Sequence, residues 1–259
     1  MRNKYRYTAL LMGWFFMLNP GLVFGNEVLP KTIDKIKPSI VAVGTYMAKR
    51  NPRAILLGTG FVVADGKTVV TNDHVIPKSL DVEHLEQLAI FFRSGEDNKI
   101  IIAKQLGADA DHDIAVLTLT EGQLPALKLG RASSVQEGAL YAFTGYPIGM
   151  VLGLYPVTHR GIVSAISPVA IPTLHSGQLN PAMLKRLGNP YDVFQLDATA
   201  YPGSSGSPLY DIDKAEVIGV INKVFVQESK ENLLTKPSGI TYAIPIDHVE
   251  KLLKEKGLN

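Results

Sequence analysis

From residue 39 onward the chain is built of short apolar runs, β-branched or aromatic, that end at Gly, Asp or Asn. Such runs are the pattern of strands joined by turns rather than of helices. One set lies at residues 39–43, 58–64, 88–92, 100–103 and 114–118, and a second at 140–144, 157–166, 193–196, 217–225 and 240–244. Two clusters of about six strands each predict an all-β fold of two packed antiparallel six-stranded barrels. The first barrel would occupy about 38–120, the second about 138–245, and the Gly, Pro and Ser of residues 120–137 would link them. Helical period is confined to residues 29–37, 80–87 and 246–256. In the last, Ile246, Val249, Leu252 and Leu253 recur at helical spacing, so a C-terminal helix is predicted to cap the second barrel. No repeat of fixed period and no low-complexity tract interrupts this organisation.

Ahead of the β-rich body the pattern changes. Arg2, Lys4 and Arg6 precede an apolar run over residues 9–18, Pro20-Gly21 breaks it, and Val23-Phe24-Gly25 sets Val and Gly three residues and one residue before a cut at Asn26. This predicts a secretory signal peptide over residues 1–25, leaving 26–259 as the mature domain in the periplasm or medium. The alternative is an uncleaved anchor helix, although the apolar run is short of the roughly 20 residues that span a hydrocarbon core. No membrane association is therefore expected after cleavage, and with no cysteine at the cut a lipoprotein is excluded. The whole chain of 259 residues lacks cysteine, so an exported fold must rest on core burial, for which 46% hydrophobic content suffices. The formal charge of +2 comes from the leader. Without its three basic residues the balance is 23 basic against 24 acidic, which argues against a nucleic-acid-binding surface.

The chemistry concentrates in Tyr201-Pro202-Gly203-Ser204-Ser205-Gly206-Ser207-Pro208-Leu209. A serine hydroxyl is a weak nucleophile at neutral pH, so it needs a base to take its proton and N–H groups to hold the oxyanion it creates. Gly203 and Gly206 let the backbone turn sharply enough to aim such groups at one point. Candidate donors are the backbone N–H groups of Gly203 and Ser205. The candidate base is His74, in the polar turn that follows Val69-Val70-Thr71, and the candidate orienting acid is Asp113, at the lip of Ile114-Ala115-Val116-Leu117. The order His, Asp, Ser is one that known catalytic triads use.

At these residues the chain resembles the trypsin-like serine peptidases of the bacterial HtrA/Deg type. The matching segments are Thr71-Asn72-Asp73-His74-Val75, Asp113-Ile114-Ala115-Val116 and Pro202-Gly203-Ser204-Ser205-Gly206-Ser207-Pro208-Leu209. Gly58-Thr59-Gly60-Phe61, Gly145-Tyr146-Pro147-Ile148-Gly149, Gly161-Ile162-Val163-Ser164 and Tyr242-Ala243-Ile244-Pro245-Ile246 extend the likeness over about 38–253. The resemblance implies the chymotrypsin-like double barrel and a serine endopeptidase acting on exported or misfolded polypeptides through His74, Asp113 and Ser205, without cofactor or metal. It also makes a homo-oligomer possible, trimers being common in that family. The residues after Pro245 are too few for the PDZ module that many such proteins carry. Three positions depart from the pattern: Asp73 stands for the usual Asn, Ser204 for Asn or Asp, and Ser207 for Gly. A side chain at Ser207 would be strained if that position required positive φ. By the same resemblance Ala200 lies at the base of the primary specificity pocket, where a small side chain leaves room for a large apolar residue and offers no acid to a Lys or Arg.

Other readings of these residues are weaker. The run Asp109-Ala110-Asp111-His112-Asp113 invites a calcium loop, but Ile114 stands at the sixth position and Thr120 at the twelfth, where Gly and Glu are needed. His112 reads as a surface neighbour of Asp113, and Asp197 as a buried acid satisfied by backbone donors. His84, His159, His175 and His248 lack metal-ligand spacing. An α/β-hydrolase elbow fails because Ser207 occupies the final glycine and the flanks do not alternate strand and helix. The rival from another class is a catalytically silent peptide-binding protein on the same fold. Residues 167–190, rich in Pro, Gly and Asn, are expected to form a long loop near the crevice.

Overall fold

The computed structural model describes residues 28–147, 153–169, 190–222 and 239–258. The predicted leader, most of the 167–190 loop and residues 223–238 lie outside them. Helix α1 (Val28–Ile36) leads into β1 (Ile40–Tyr46), β2 (Ala54–Val63), β3 (Thr68–Thr71), β4 (Gln87–Ser94), β5 (Asp97–Asp109) and β6 (Ile114–Leu119). These six strands close as an antiparallel barrel in the order β1-β2-β3-β6-β5-β4. A short strand β7 (Lys128–Leu129) crosses to the second lobe. There β8 (Leu140–Gly145), β9 (Val157–Pro168), β10 (Asp192–Asp197), β11 (Pro208–Asp211), β12 (Glu216–Asn222) and β13 (Ile240–Pro245) form the second ring. Its order is β11-β8-β9-β10-β13-β12, the β11–β12 pairing closes it, and β7 adds in parallel to β12. Helix α2 (Asp247–Glu255) ends the described chain. Among the described residues no helix is long and apolar enough to cross a membrane.

The runs are continuous rather than alternating because many strands are buried on both faces. In β1, Val41 and Val43 join Val62, Val69, Ile90 and Leu117 inside the first barrel, whereas Ile40 and Ala42 face the seam between the lobes. That seam gathers Phe61, Val70, Ile114 and Val116 with Tyr210, Val217, Val220 and Ile244 of the second lobe. Phe143, Val163, Phe194, Leu209, Ile218 and Ile221 fill the second barrel.

Two helical expectations are corrected. Residues 80–87 form only one 3₁₀ turn, Val82–His84, with Asp81 accepting from the His84 N–H at its start and Leu85 in the left-handed region (φ 60°) at its end. Val82 and Leu85 are 70% and 73% exposed, so no apolar face exists to pay for a helix, and Gln87 already pairs with Tyr46. The C-terminal helix does not simply cap the second barrel. Leaving β13 at the seam, α2 lies against β5 and β6 of the first barrel as well as β13, and buries Val249, Leu252 and Leu253 in the shared interlobe cluster.

Candidate functional site

β3 and β6 are antiparallel neighbours, with Thr71 opposite Ala115, so the end of one meets the start of the other. His74 follows the end of β3 and Asp113 precedes β6, which is why two residues far apart in sequence meet. The loop that carries Asp113 is tightly specified. Asp113 has φ 53°, a left-handed conformation that Asp tolerates better than bulkier residues. Its C=O accepts from Asn72 Nδ2 at 2.9 Å and from the Asp73 N–H at 3.2 Å. Its carboxylate receives three donors. Oδ1 accepts the His74 backbone N–H at 2.8 Å, and Oδ2 faces His74 Nδ1 at 2.7 Å and accepts Asn222 Nδ2 at 2.7 Å. A carboxylate offers only acceptors, so Nδ1 carries the proton and the neutral ring keeps its lone pair on Nε2. The His74 side chain is 33% exposed and that of Asp113 13%. Burial, and next the negative charge of Asp113, raise the Asp73 carboxyl above its ordinary range.

Ser205 comes from the second lobe, in the turn between β10 and β11. Gly203 and Gly206 hold φ values of 96° and 86°. The Ser204 N–H donates to Tyr201 O at 3.0 Å, Gly206 N–H to Ile221 O at 2.9 Å, and Ser207 N–H to Ser204 O at 3.0 Å. Among the described residues, the N–H groups of Gly203 and Ser205 find no backbone acceptor. The turn is seated against the first lobe. Thr59 N–H donates to Ser205 O at 2.8 Å, and a Cβ on Gly58 would lie 3.0 Å from that same oxygen and 2.7 Å from Val75 Cγ2, beside His74. On the other side Ile221 pairs with the turn and its neighbour Asn222 reaches Asp113. The Ser205 hydroxyl itself has no hydrogen-bond partner among the described residues, and none joins it to the His74 ring.

The departures at Ser204 and Ser207 resolve physically. The positive φ belongs to Gly206, and Ser207 is not among the left-handed residues, so its side chain carries no backbone strain. Room for it is made by Gly145, where a Cβ would overlap Ser207 Oγ. Both serine hydroxyls are buried without a partner among the described residues. Ala200 is 8% exposed and packs in the second-barrel cluster with Phe143, Val163 and Leu196.

Two side-chain expectations fail. Asp197 is exposed, being the last residue of β10. His112 is not a surface residue. Its ring bonds Asp109 Oδ2 at 2.6 Å, stacks on His248 of α2 at 3.8 Å between centroids, and meets Tyr191 edge-on at 4.6 Å. Burial alone would raise Asp109, but hydrogen bonds from the His112 ring and backbone outweigh it and hold the carboxyl low. Burial, then the neighbouring His112, push His248 down to about 4. Among the described residues no cluster of His, Cys, Asp or Glu could hold a metal. Sequence reasoning missed Asn72 and Asn222. Asn72 stood within a motif already quoted, whereas nothing local marks Asn222, whose place is set by the β12–β11 pairing.

The trypsin-like peptidase domain model matches residues 58–220. A probable periplasmic serine endoprotease DegP-like of Halomonas elongata is 31% identical over 195 residues, 74% of this chain and 33% of that protein. Serine protease HTRA1A of Danio rerio is 29% identical over 245 residues, 92% of this chain and 43% of that protein. The chain thus spans between a third and a half of the length of these relatives. Among solved structures, the HtrA-type protease AlgW with decapeptide superposes with a TM-score of 0.63 at 23% identity, over 88% of this chain and 67% of that one, a likeness of fold. The chain belongs to the trypsin-like peptidase domain family, and the relatives and solved structures it is similar to include DegP-like and HtrA-type serine proteases.

Proposed function

We infer that this chain is a serine endopeptidase that cleaves peptide bonds of exported or misfolded polypeptides by acyl transfer. Ser205 Oγ attacks the scissile carbonyl while His74 Nε2 takes its proton. Asp113 fixes the imidazole tautomer and supports the imidazolium, and the N–H groups of Gly203 and Ser205 receive the oxyanion. The imidazolium then returns the proton to the leaving amine, and water, activated by the same ring, hydrolyses the acyl-enzyme. The observation that carries this reading is the Asp113–His74 pairing, which leaves Nε2 free in the lobe opposite a serine flanked by uncommitted N–H groups. Ala200 would floor the pocket for the residue before the cut and favour a large apolar side chain. The periplasmic DegP-like relatives support export, with residues 1–25 as the leader.

The alternative of a silent peptide-binding protein draws on the missing bond between Ser205 and His74. Such bonds are often loose without substrate and tighten on binding, so the gap does not favour silence. Labelling with a fluorophosphonate decides between them. The wild-type protein is expected to react at Ser205 and to hydrolyse a peptide substrate, while folded Ser205→Ala does neither, a loss on the order of 10⁶ in turnover. Hydrolysis that survives in Ser205→Ala would overturn the reading.

A further inference from the structure

Gly203, at φ 96°, sits where only glycine is comfortable, and the freedom that admits it also lets the flanking peptides rotate at little cost. Something outside the turn must therefore hold it if its N–H groups are to stay aimed at one point. The hydroxyl of Thr59, on β2 of the opposite lobe, does so. Thr59 Oγ1 donates to Gly203 O at 2.7 Å and accepts the Tyr146 N–H at 2.9 Å. Because Tyr146 can only donate, the hydroxyl hydrogen is committed to Gly203, and the polarity of the bond is set. The peptide between Gly203 and Ser204 is thereby held from both edges, its C=O by Thr59 and its N–H by Tyr201 O at 3.0 Å. Flanking it, the two peptides whose N–H groups belong to Gly203 and Ser205 have no backbone acceptor among the described residues. The rest of Thr59 adds to the seat: its N–H bonds Ser205 O at 2.8 Å, and its C=O accepts Thr71 Oγ1 at 2.7 Å. Thr59 is fully buried, so water does not compete for these bonds.

We propose that Thr59 is a positioning residue for the reaction: its hydroxyl, reaching across the seam between the barrels, locks the oxyanion turn in the orientation that presents the Gly203 and Ser205 N–H groups. The proposal rests on the acyl-transfer reading of the site. Donors that hold charge developing in the transition state act on turnover rather than on substrate binding. Misdirecting one such donor lowers kcat by about 10² to 10³.

The test compares Thr59→Val, which keeps the shape and removes the hydroxyl, with Thr59→Ser, which keeps the hydroxyl and removes the methyl. Each is assayed for kcat and KM on a peptide substrate and for the rate of fluorophosphonate labelling, at a temperature where thermal melting shows it folded. Thr59→Val is expected to lose at least about 10² in kcat and a similar factor in labelling rate, with KM changed less than about threefold. Thr59→Ser is expected to stay within about fivefold of wild type. If Thr59→Val does not fold, Thr59→Ala takes its place against Thr59→Ser with the same expectation. Wild-type kcat without the hydroxyl, equal losses in both variants, or a loss confined to KM would each overturn the proposal. Ser205→Ala, run beside them, separates the two layers: if it stays active, the acyl-transfer reading falls. If it is inert while Thr59→Val is fully active, only the role of Thr59 falls.

Discussion

Asp113→Asn would test the geometry most sharply, because the native carboxylate answers three donors with two oxygens. The His74 backbone N–H uses Oδ1, and His74 Nδ1 and Asn222 Nδ2 share Oδ2. An amide offers one oxygen and one NH₂. If its oxygen faces His74 Nδ1, its NH₂ confronts the His74 backbone N–H, donor against donor. If the amide is reversed, its NH₂ points at Nδ1, which must then accept, and the imidazole proton moves to Nε2, where it blocks the base. The first arrangement leaves a partly buried donor unmade, worth about 1–3 kcal/mol of stability. The second is expected to lower turnover on the order of 10⁴, roughly 5 kcal/mol of barrier. The assay is peptide turnover at neutral pH beside thermal melting, with Asp111→Asn as the control. Asp111 is exposed and sits in the same turn, its N–H bonded to Asp109 Oδ1 at 3.1 Å, and its side chain is assigned no part in holding the ring. Near-normal turnover in Asp113→Asn, or a crippled Asp111→Asn, would refute the assignment of the orienting acid.

Gly206→Ala places a Cβ at φ 86° against Thr59 O and Thr71 Oγ1. The left-handed strain alone costs about 1 kcal/mol, and the overlap with backbone adds to it. Turnover should collapse and the melting temperature fall by at least roughly 2 °C; wild-type values for both would show that the seat of the turn is misjudged. His248 predicts an acid-sensitive docking of α2. Its folded pKa of about 4 lies below the ordinary value of 6.5, so between those values the unfolded chain binds the proton and the folded chain does not. Stability contributed by neutral His248 is thus present above pH 6.5 and is lost as pH falls toward 4. Asp109, His112, Asp247 and Lys251 are the charged or titratable neighbours that bear on it. Replacing it with Phe keeps a ring against His112 and removes the proton site, so melting temperature should decline less steeply from pH 7 to 4.5 than in wild type. The difference expected is on the order of 2 kcal/mol after allowing for solvent screening, and parallel curves would sink the idea.

Much of the site was legible because its chemistry is local. A serine between two turn glycines, a histidine just past an apolar run and an aspartate just before another each advertise a backbone setting in a few residues. The strands were legible for a similar reason, since β-branched runs ending at Gly, Asp and Asn fix where extended chain begins and ends. Residues 80–87 misled because the same apolar spacing that marks a helix face means nothing where no surface lies opposite to bury it. His112 misled because its neighbours in sequence are polar, while the ring that covers it, His248, arrives from α2 at the other end of the chain.

The sequence by itself therefore determined the secondary structure of the lobes and nominated the candidate reacting groups and the turns that carry them, all of which depend on residues within a few positions of one another. Only the tertiary structure decided which side chains complete the site. Asn222 meets Asp113 because β12 pairs with β11 beside the serine turn, Thr59 meets Gly203 because the two barrels pack face to face, and α2 lies on the first barrel because β13 ends at the seam. Each of these contacts joins residues far apart in the chain, and no local propensity encodes them; they follow from how two closed sheets bury their outer apolar faces against one another.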